Sequence, residues 1–187
     1  MKNYWVIPVL VVILIIGCKQ KKEEKQEAQI SAISIIKGQL HKLDSSMAEF
    51  KKIERLENRN DTTYLKRDEI KNLAEPFLSL PDITDKKNLK KYTEDRLIDA
   101  EQNTLSITHT LKENETGEIQ KQIIVVDIAD ISNGQIQSIF IDRSINVPDS
   151  TIDQKLFWQI DKFFTIGNII SKENQPEKTN YIKVEWQ

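Results

Sequence analysis

The sequence predicts an α+β fold: N-terminal helices packed on a largely antiparallel sheet of about five strands in meander order. Three observations carry that expectation. Apolar residues in the first half of the chain recur at helical spacing, those in the second half alternate with polar residues, and the two patterns occupy separate stretches. Of the 187 residues only one is cysteine, Cys18, so the core has to be apolar. A domain of this size buries enough surface to fold without disulfides or metal.

The first expected helix covers residues 29–43, where Ile30, Ile33, Ile36, Leu40 and Leu43 form one stripe and Asp44-Ser45-Ser46 breaks the pattern. A second covers residues 66–80. Ile70, Leu73, Ala74 and Phe77 share a face there, Asp68 and Glu69 suit the positive end of the macrodipole, and Pro76 should kink or shorten it. Residues 47–56 fit two patterns. Met47, Phe50, Ile53 and Leu56 have helical spacing, yet the turn-like Asn58-Arg59-Asn60-Asp61 would equally join two short strands, the second over residues 62–65.

The strands follow. Leu105, Ile107, His109 and Leu111 alternate with Ser106, Thr108 and Thr110, and a turn at Asn114-Glu115-Thr116-Gly117 leads into a strand over residues 119–131. Asn133-Gly134 is a hairpin signal because both residues tolerate positive φ, and residues 135–145 form the return strand. A long strand is expected over residues 155–170, with Leu156, Trp158, Ile160, Phe164 and Ile166 on one face and a bulge at Gly167. Ile182, Val184 and Trp186 mark the last strand. Phe157 and Phe163 fall opposite Trp158 and Phe164. Either the helices cover one face and a partner the other, or these two rings pack under a loop.

At the N-terminus, Lys2 precedes an apolar run from Trp5 to Ile16 and small Gly17, the parts of an export signal. The run contains Pro8 and is shorter than the roughly 20 residues that span a bilayer. Ile15-Ile16-Gly17-Cys18 resembles the lipobox of bacterial lipoproteins. That resemblance implies cleavage after Gly17 and a thioether-linked diacylglycerol on Cys18, commonly with a third acyl chain, so that residues 1–17 are a signal peptide. Residues 18–27 then read as the lipidated cysteine and a Lys-, Gln- and Glu-rich tether too polar to bury, and residues 28–187 as one globular domain. Within the tether, Gln20-Lys21-Lys22-Glu23-Glu24 resembles the Lys-then-acidic export signal of surface lipoproteins of the Bacteroidetes. This implies an outer-membrane protein held by its lipid, displayed on the cell surface, with a periplasm-facing site as the alternative. The globular part broadly resembles the small α+β lipoproteins of that phylum.

No catalytic motif is present. His41 and His109 lack metal-ligand spacing, there is no GxSxG elbow, and no glycine-rich loop joins a strand to a helix, so neither a metal nor a cofactor is expected. His109 reads as a core histidine and His41 as an exposed one. Residues 127–134 lack the alternating acidic positions and the following glutamate of a calcium loop. The net charge of −2 gives no basic field for nucleic acid, and Lys86, Lys87, Lys90 and Lys91 are interleaved with acidic residues as on a solvated face. The expected function is a lipid-anchored, non-enzymatic binding or envelope-associated module, in contact with the membrane through its lipid and with a protein or glycan partner. A hydrolase with a carboxylate site and a purely structural envelope protein are the alternatives.

Overall fold

A computed structural model describes residues 29–56, 59–129 and 134–187, and its body is one antiparallel sheet of nine strands. The elements run α1 (Ala32–Asp44), β1 (Phe50–Leu56), β2 (Arg59–Leu65), α2 (Arg67–Leu73), α3 (Glu75–Leu78), α4 (Lys86–Leu89), β3 (Tyr92–Asp99), β4 (Thr104–Leu111), β5 (Ile119–Asp127), β6 (Gln135–Val147), β7 (Ser150–Gln159), β8 (Phe163–Lys172) and β9 (Lys178–Trp186). Across the sheet the order is β2-β1-β9-β8-β7-β6-β5-β4-β3. The expected α+β fold with about five strands is therefore corrected to a mostly β fold with a few short helices.

The additional strands have three sources. Residues 50–65 form a hairpin because β1 pairs with β9, Phe50 opposite Trp186 and Lys52 opposite Val184, a contact remote in sequence that overrides the helical spacing. β3 is an edge strand carrying Glu94, Asp95 and Arg96, charges that blunt the edge and erase the alternation. The expected strand over residues 155–170 is two strands. It breaks at Asp161, whose φ of 59° is held by α1: Gln39 Oε1 accepts the Asp161 N–H at 2.9 Å, and Lys42 Nζ lies 2.7 Å from its carboxylate.

Two turn expectations are corrected as well. β5 and β6 form a hairpin whose last pair is Asp127 with Gln135, so β5 ends short of the expected residue 131. Gly134 does not have positive φ, and Asn133 lies outside the described residues. Gly167 keeps regular register between Lys155 and Tyr181, and the register shifts fall in the pairing of β5 with β6 instead. Pro76 does shorten its helix: α2 ends at Leu73 and α3 is a separate turn with proline in its first positions.

The helices bury Ile33, Ile36, Leu40, Leu43, Ile70 and Phe77 against one face of the sheet, where Ile124, Ile139, Leu156, Trp158, Phe164 and Val184 are also fully enclosed. Phe77 anchors the contact. Its ring stands edge-on to Trp158 at 5.2 Å and to Phe164 at 5.6 Å, while Trp158 and Phe164 stack at 4.9 Å.

Further along the strands this face becomes polar. Arg143, Gln154, Asn168 and Asn180 face one another across β6 to β9. Arg143 Nη1 donates to Gln154 Oε1 at 3.4 Å and to the Pro76 carbonyl at 3.3 Å, Gln154 Nε2 to Asn168 Oδ1 at 2.8 Å, and Asn168 Nδ2 to Asn180 Oδ1 at 2.6 Å. A one-residue slip of any of these strands would break the ladder, so it fixes register. Asn168→Ala strands the amide of Gln154 and the oxygen of Asn180, and is expected to cost about 1–3 kcal/mol in a urea titration.

Asp82 ties the start of α1 to the segment after α3. Its carboxylate accepts the Ser31 hydroxyl, the Thr84 N–H at 2.9 Å and the Thr84 hydroxyl at 2.8 Å, while Ser31 Oγ accepts the Ser34 N–H as the helix cap. Burial pulls the Asp82 pKa up, but these hydrogen bonds and Lys37 outweigh it and hold the carboxyl below its ordinary 3.8. A lowered folded pKa stabilises the protein above the unfolded value and is lost as the pH falls through the folded one. Asp82→Asn should therefore lower stability at neutral pH by about 1 kcal/mol, the scale by which hydrogen bonds to a charged acceptor exceed those to a neutral one. The gap to wild type should close in denaturant titrations run well below the ordinary carboxylate range.

Candidate functional site

The alternation that builds the core also builds the opposite face, because neighbouring side chains on a strand point to opposite sides. Register brings Thr108, Ile123, Phe140, Phe157, Thr165 and Lys183 into one row across β4 to β9. The adjacent row holds Val125, Ser138, Gln159, Phe163 and Glu185. Ile123, Val125, Phe140, Phe157 and Phe163 are half-buried, and none belongs to the core under the helices. Among the described residues, the helices bury their apolar side chains on the other face and leave this one without a covering layer.

The aromatic patch has an ordered rim. Phe157 and Phe163 lie 5.8 Å apart, tilted by 43°, and Lys183 Nζ sits 4.6 Å from the Phe163 ring centre. Glu185 is 2.6 Å from Lys183 and 3.3 Å from Lys51. Hydrogen bonding to Lys183, helped by Lys51 and opposed by slight burial, holds the Glu185 carboxyl below its usual range.

Two positions along β6 and β7 the face turns polar. Asp142 stands opposite Lys155 and Ser144 opposite Asp153, and with Gln120 and Asn146 they line a groove of about 650 Å³. Among the described residues, Asp142, Asp153 and Lys155 have no side-chain hydrogen bond or ion pair, nor has Lys121 opposite Asp142, whereas Lys51, Lys183 and Glu185 on this face are mutually paired. Three charged groups are thus left open to one groove beside an aromatic patch. That arrangement can hold a ligand by stacking and by hydrogen bonds.

The other titratable cluster is closed. His109 is 2% exposed, its Nε2 lies 3.2 Å from Glu94 Oε2 at ion-pair distance without hydrogen-bond alignment, and Gln122 is its cross-strand neighbour. Burial raises the Glu94 pKa, but Arg96, His109 and the Gln29 side chain together lower it further. The Gln29 side chain thereby ties the segment before α1 to β3.

His41 is exposed on α1 and lines a crevice of about 310 Å³ with Lys37, Leu40 and Lys71. Lys86, Lys87 and Lys90 are exposed, and Lys91 Nζ donates to the Thr116 carbonyl. Residues 1–17, expected as a signal peptide, Cys18, expected as the lipidation site, and Gln20, Lys21, Lys22, Glu23 and Glu24, expected as an export signal, lie outside the described residues. The groove residues Asp142, Ser144, Asp153 and Lys155 escaped sequence reasoning, because only the pairing of β6 with β7 brings them together. Their legible signal is position: each alternates with a core or ladder residue on a well-patterned strand.

Among the described residues no three metal-ligating side chains cluster, and no helix is long and apolar enough to cross a membrane. No family model matches the chain, nor does any curated protein or solved structure. Its class therefore rests on its own geometry: a broad antiparallel sheet, covered by helices on one face and presenting an aromatic patch and a polar groove on the other.

Proposed function

We propose that this chain is a lipid-anchored cell-envelope protein whose folded domain is a non-enzymatic binding module, docking an envelope partner across its open sheet face. The half-buried patch of Phe140, Phe157 and Phe163, without a covering layer among the described residues, carries the binding reading, since contiguous apolar surface left open to solvent marks interaction sites. The lipobox-like segment ending at Cys18 supports the anchor, and the tether Gln20-Lys21-Lys22-Glu23-Glu24 supports display on the outer surface. Two or three acyl chains hold a protein to a membrane firmly, so the domain works at that surface without spanning it.

Protease added to intact cells tests the placement. Degradation of the wild-type protein, and protection of a variant with alanine at all five tether positions, is the expected result; protection of both would put the domain inside the envelope. A hydrolase is the second reading, favoured by the unpaired carboxylates of Asp142 and Asp153 on adjacent strands of one groove. Turnover of an envelope polymer that Asp153→Asn abolishes would replace binding with hydrolysis.

A further inference from the structure

We propose that the groove beside the aromatic patch is a subsite for a neutral glycan, with sugar rings against the Phe140 and Phe157 edge and hydroxyls meeting Asp142, Asp153, Ser144 and Lys155. This rests on the open face being the docking surface and names the chemistry of what docks there.

The lining selects that chemistry. A sugar hydroxyl donates one hydrogen bond and accepts others, so it suits a site offering carboxylate acceptors and an ammonium donor at neighbouring cross-strand positions. The groove offers both, and neither is consumed by an internal partner among the described residues. The faces of sugar rings are apolar C–H surfaces, and they find Phe140 and Phe157 two positions along the same two strands. A groove of about 650 Å³ lies within the roughly 300–1,000 Å³ of small-ligand sites.

Other occupants fit less well. A divalent cation would meet only two carboxylates with the Lys155 ammonium opposite, whereas such ions take six or more oxygens. An anion would meet two carboxylates and one lysine. An extended peptide adds to a sheet through an unpaired edge, and β6, β7 and β8 are interior strands paired on both sides. A neutral polyol uses all of these side chains and demands no backbone partner.

Gly167 shapes the access. It occupies the position between Lys155 and Tyr181 in the row that crosses the groove, and leaves a gap in that row. A Cβ there would lie 3.8 Å from the Lys155 carbonyl, an ordinary contact, and the backbone is not in the positive-φ region, so a larger side chain fits the strand while filling the gap.

The test uses the full mature protein in a detergent without a sugar headgroup, titrated calorimetrically with soluble neutral oligosaccharides of glucose, mannose, galactose and N-acetylglucosamine. Binding of at least one is expected, weakened about tenfold or more by Asp153→Ala, the scale of one lost charge-assisted hydrogen bond. Gly167→Leu should weaken it likewise with an unchanged melting temperature, which separates blocked access from a failure to fold. Absence of binding by all of these sugars, or binding indifferent to both variants, overturns the glycan assignment. The docking reading falls separately, if a photoreactive residue at position 157 captures no envelope component in intact cells.

Discussion

Phe77→Ala is expected to destabilise the domain by about 3–5 kcal/mol, the range for removing a large aromatic from a closed core. Phe77 is fully buried and is the side chain through which the helical layer meets the stacked Trp158 and Phe164. Its loss opens a cavity between the two layers, and α3, a single turn, supplies no second aromatic to fill it. For a domain this long the melting temperature should fall on the order of 10 °C, read by calorimetry or circular dichroism. Phe157→Ala removes a ring of similar size from the open face and should cost far less, since Phe157 is half-buried and outside the core. Equal losses at the two sites would mean that both faces are covered, and would contradict the two-sided account.

The second large effect is at Cys18. Cys18→Ser removes the sulfur that would carry the diacylglycerol, so the N-terminal acyl chains and cleavage after Gly17 should both be lost. Each buried methylene contributes about 0.8 kcal/mol to membrane binding, which makes two or three chains a near-permanent attachment. Mass spectrometry of the purified protein is expected to find an acylated peptide beginning at Cys18 in the wild type. The serine variant should retain residues 1–17 and leave the outer-membrane fraction. An unmodified Cys18 in the wild type would remove the anchor from the proposed function and leave the open face to be explained in a protein of another compartment.

Where the sequence was legible, local pattern and tertiary context agreed. The stripe Ile33, Ile36, Leu40 and Leu43 forms α1 close to the expected bounds, and Pro76 separates α2 from α3. The alternation at Leu105 to Leu111 forms β4, and Val184 and Trp186 close the core from β9. It was illegible where tertiary contact decided the outcome. Phe50 and Ile53 have the spacing of a helix, and only pairing with β9 makes them a strand. Glu94, Asp95 and Arg96 protect an edge, so β3 has no apolar face to betray it. Apolar residues continue on both sides of Asp161, and the turn there depends on Gln39 and Lys42 from α1.

The same division holds for the candidate site. That Phe157 and Phe163 oppose Trp158 and Phe164 follows from period-two alternation alone, and the helices do choose the Trp158 side. The fuller patch, with Ile123 and Phe140, required the register of β5, β6 and β7. The groove required in addition that Asp142 and Lys155, opposite each other, be left without an ion pair, which is a property of side-chain geometry that no spacing reveals. The paired charges at Lys51, Lys183 and Glu185 are exposed enough that each pair contributes little stability, so they serve the face by shaping its rim.

Site-specific photocrosslinking in intact cells tests the docking claim most directly. A photoreactive residue replaces Phe157 on the open face in one strain and His41 on the exposed side of α1 in another, each in the full-length protein. The account predicts that the residue at 157 captures an envelope component, whether protein or carbohydrate, while the residue at 41 does not. Capture at 41 with none at 157 would contradict it and move the interaction surface to the helical layer.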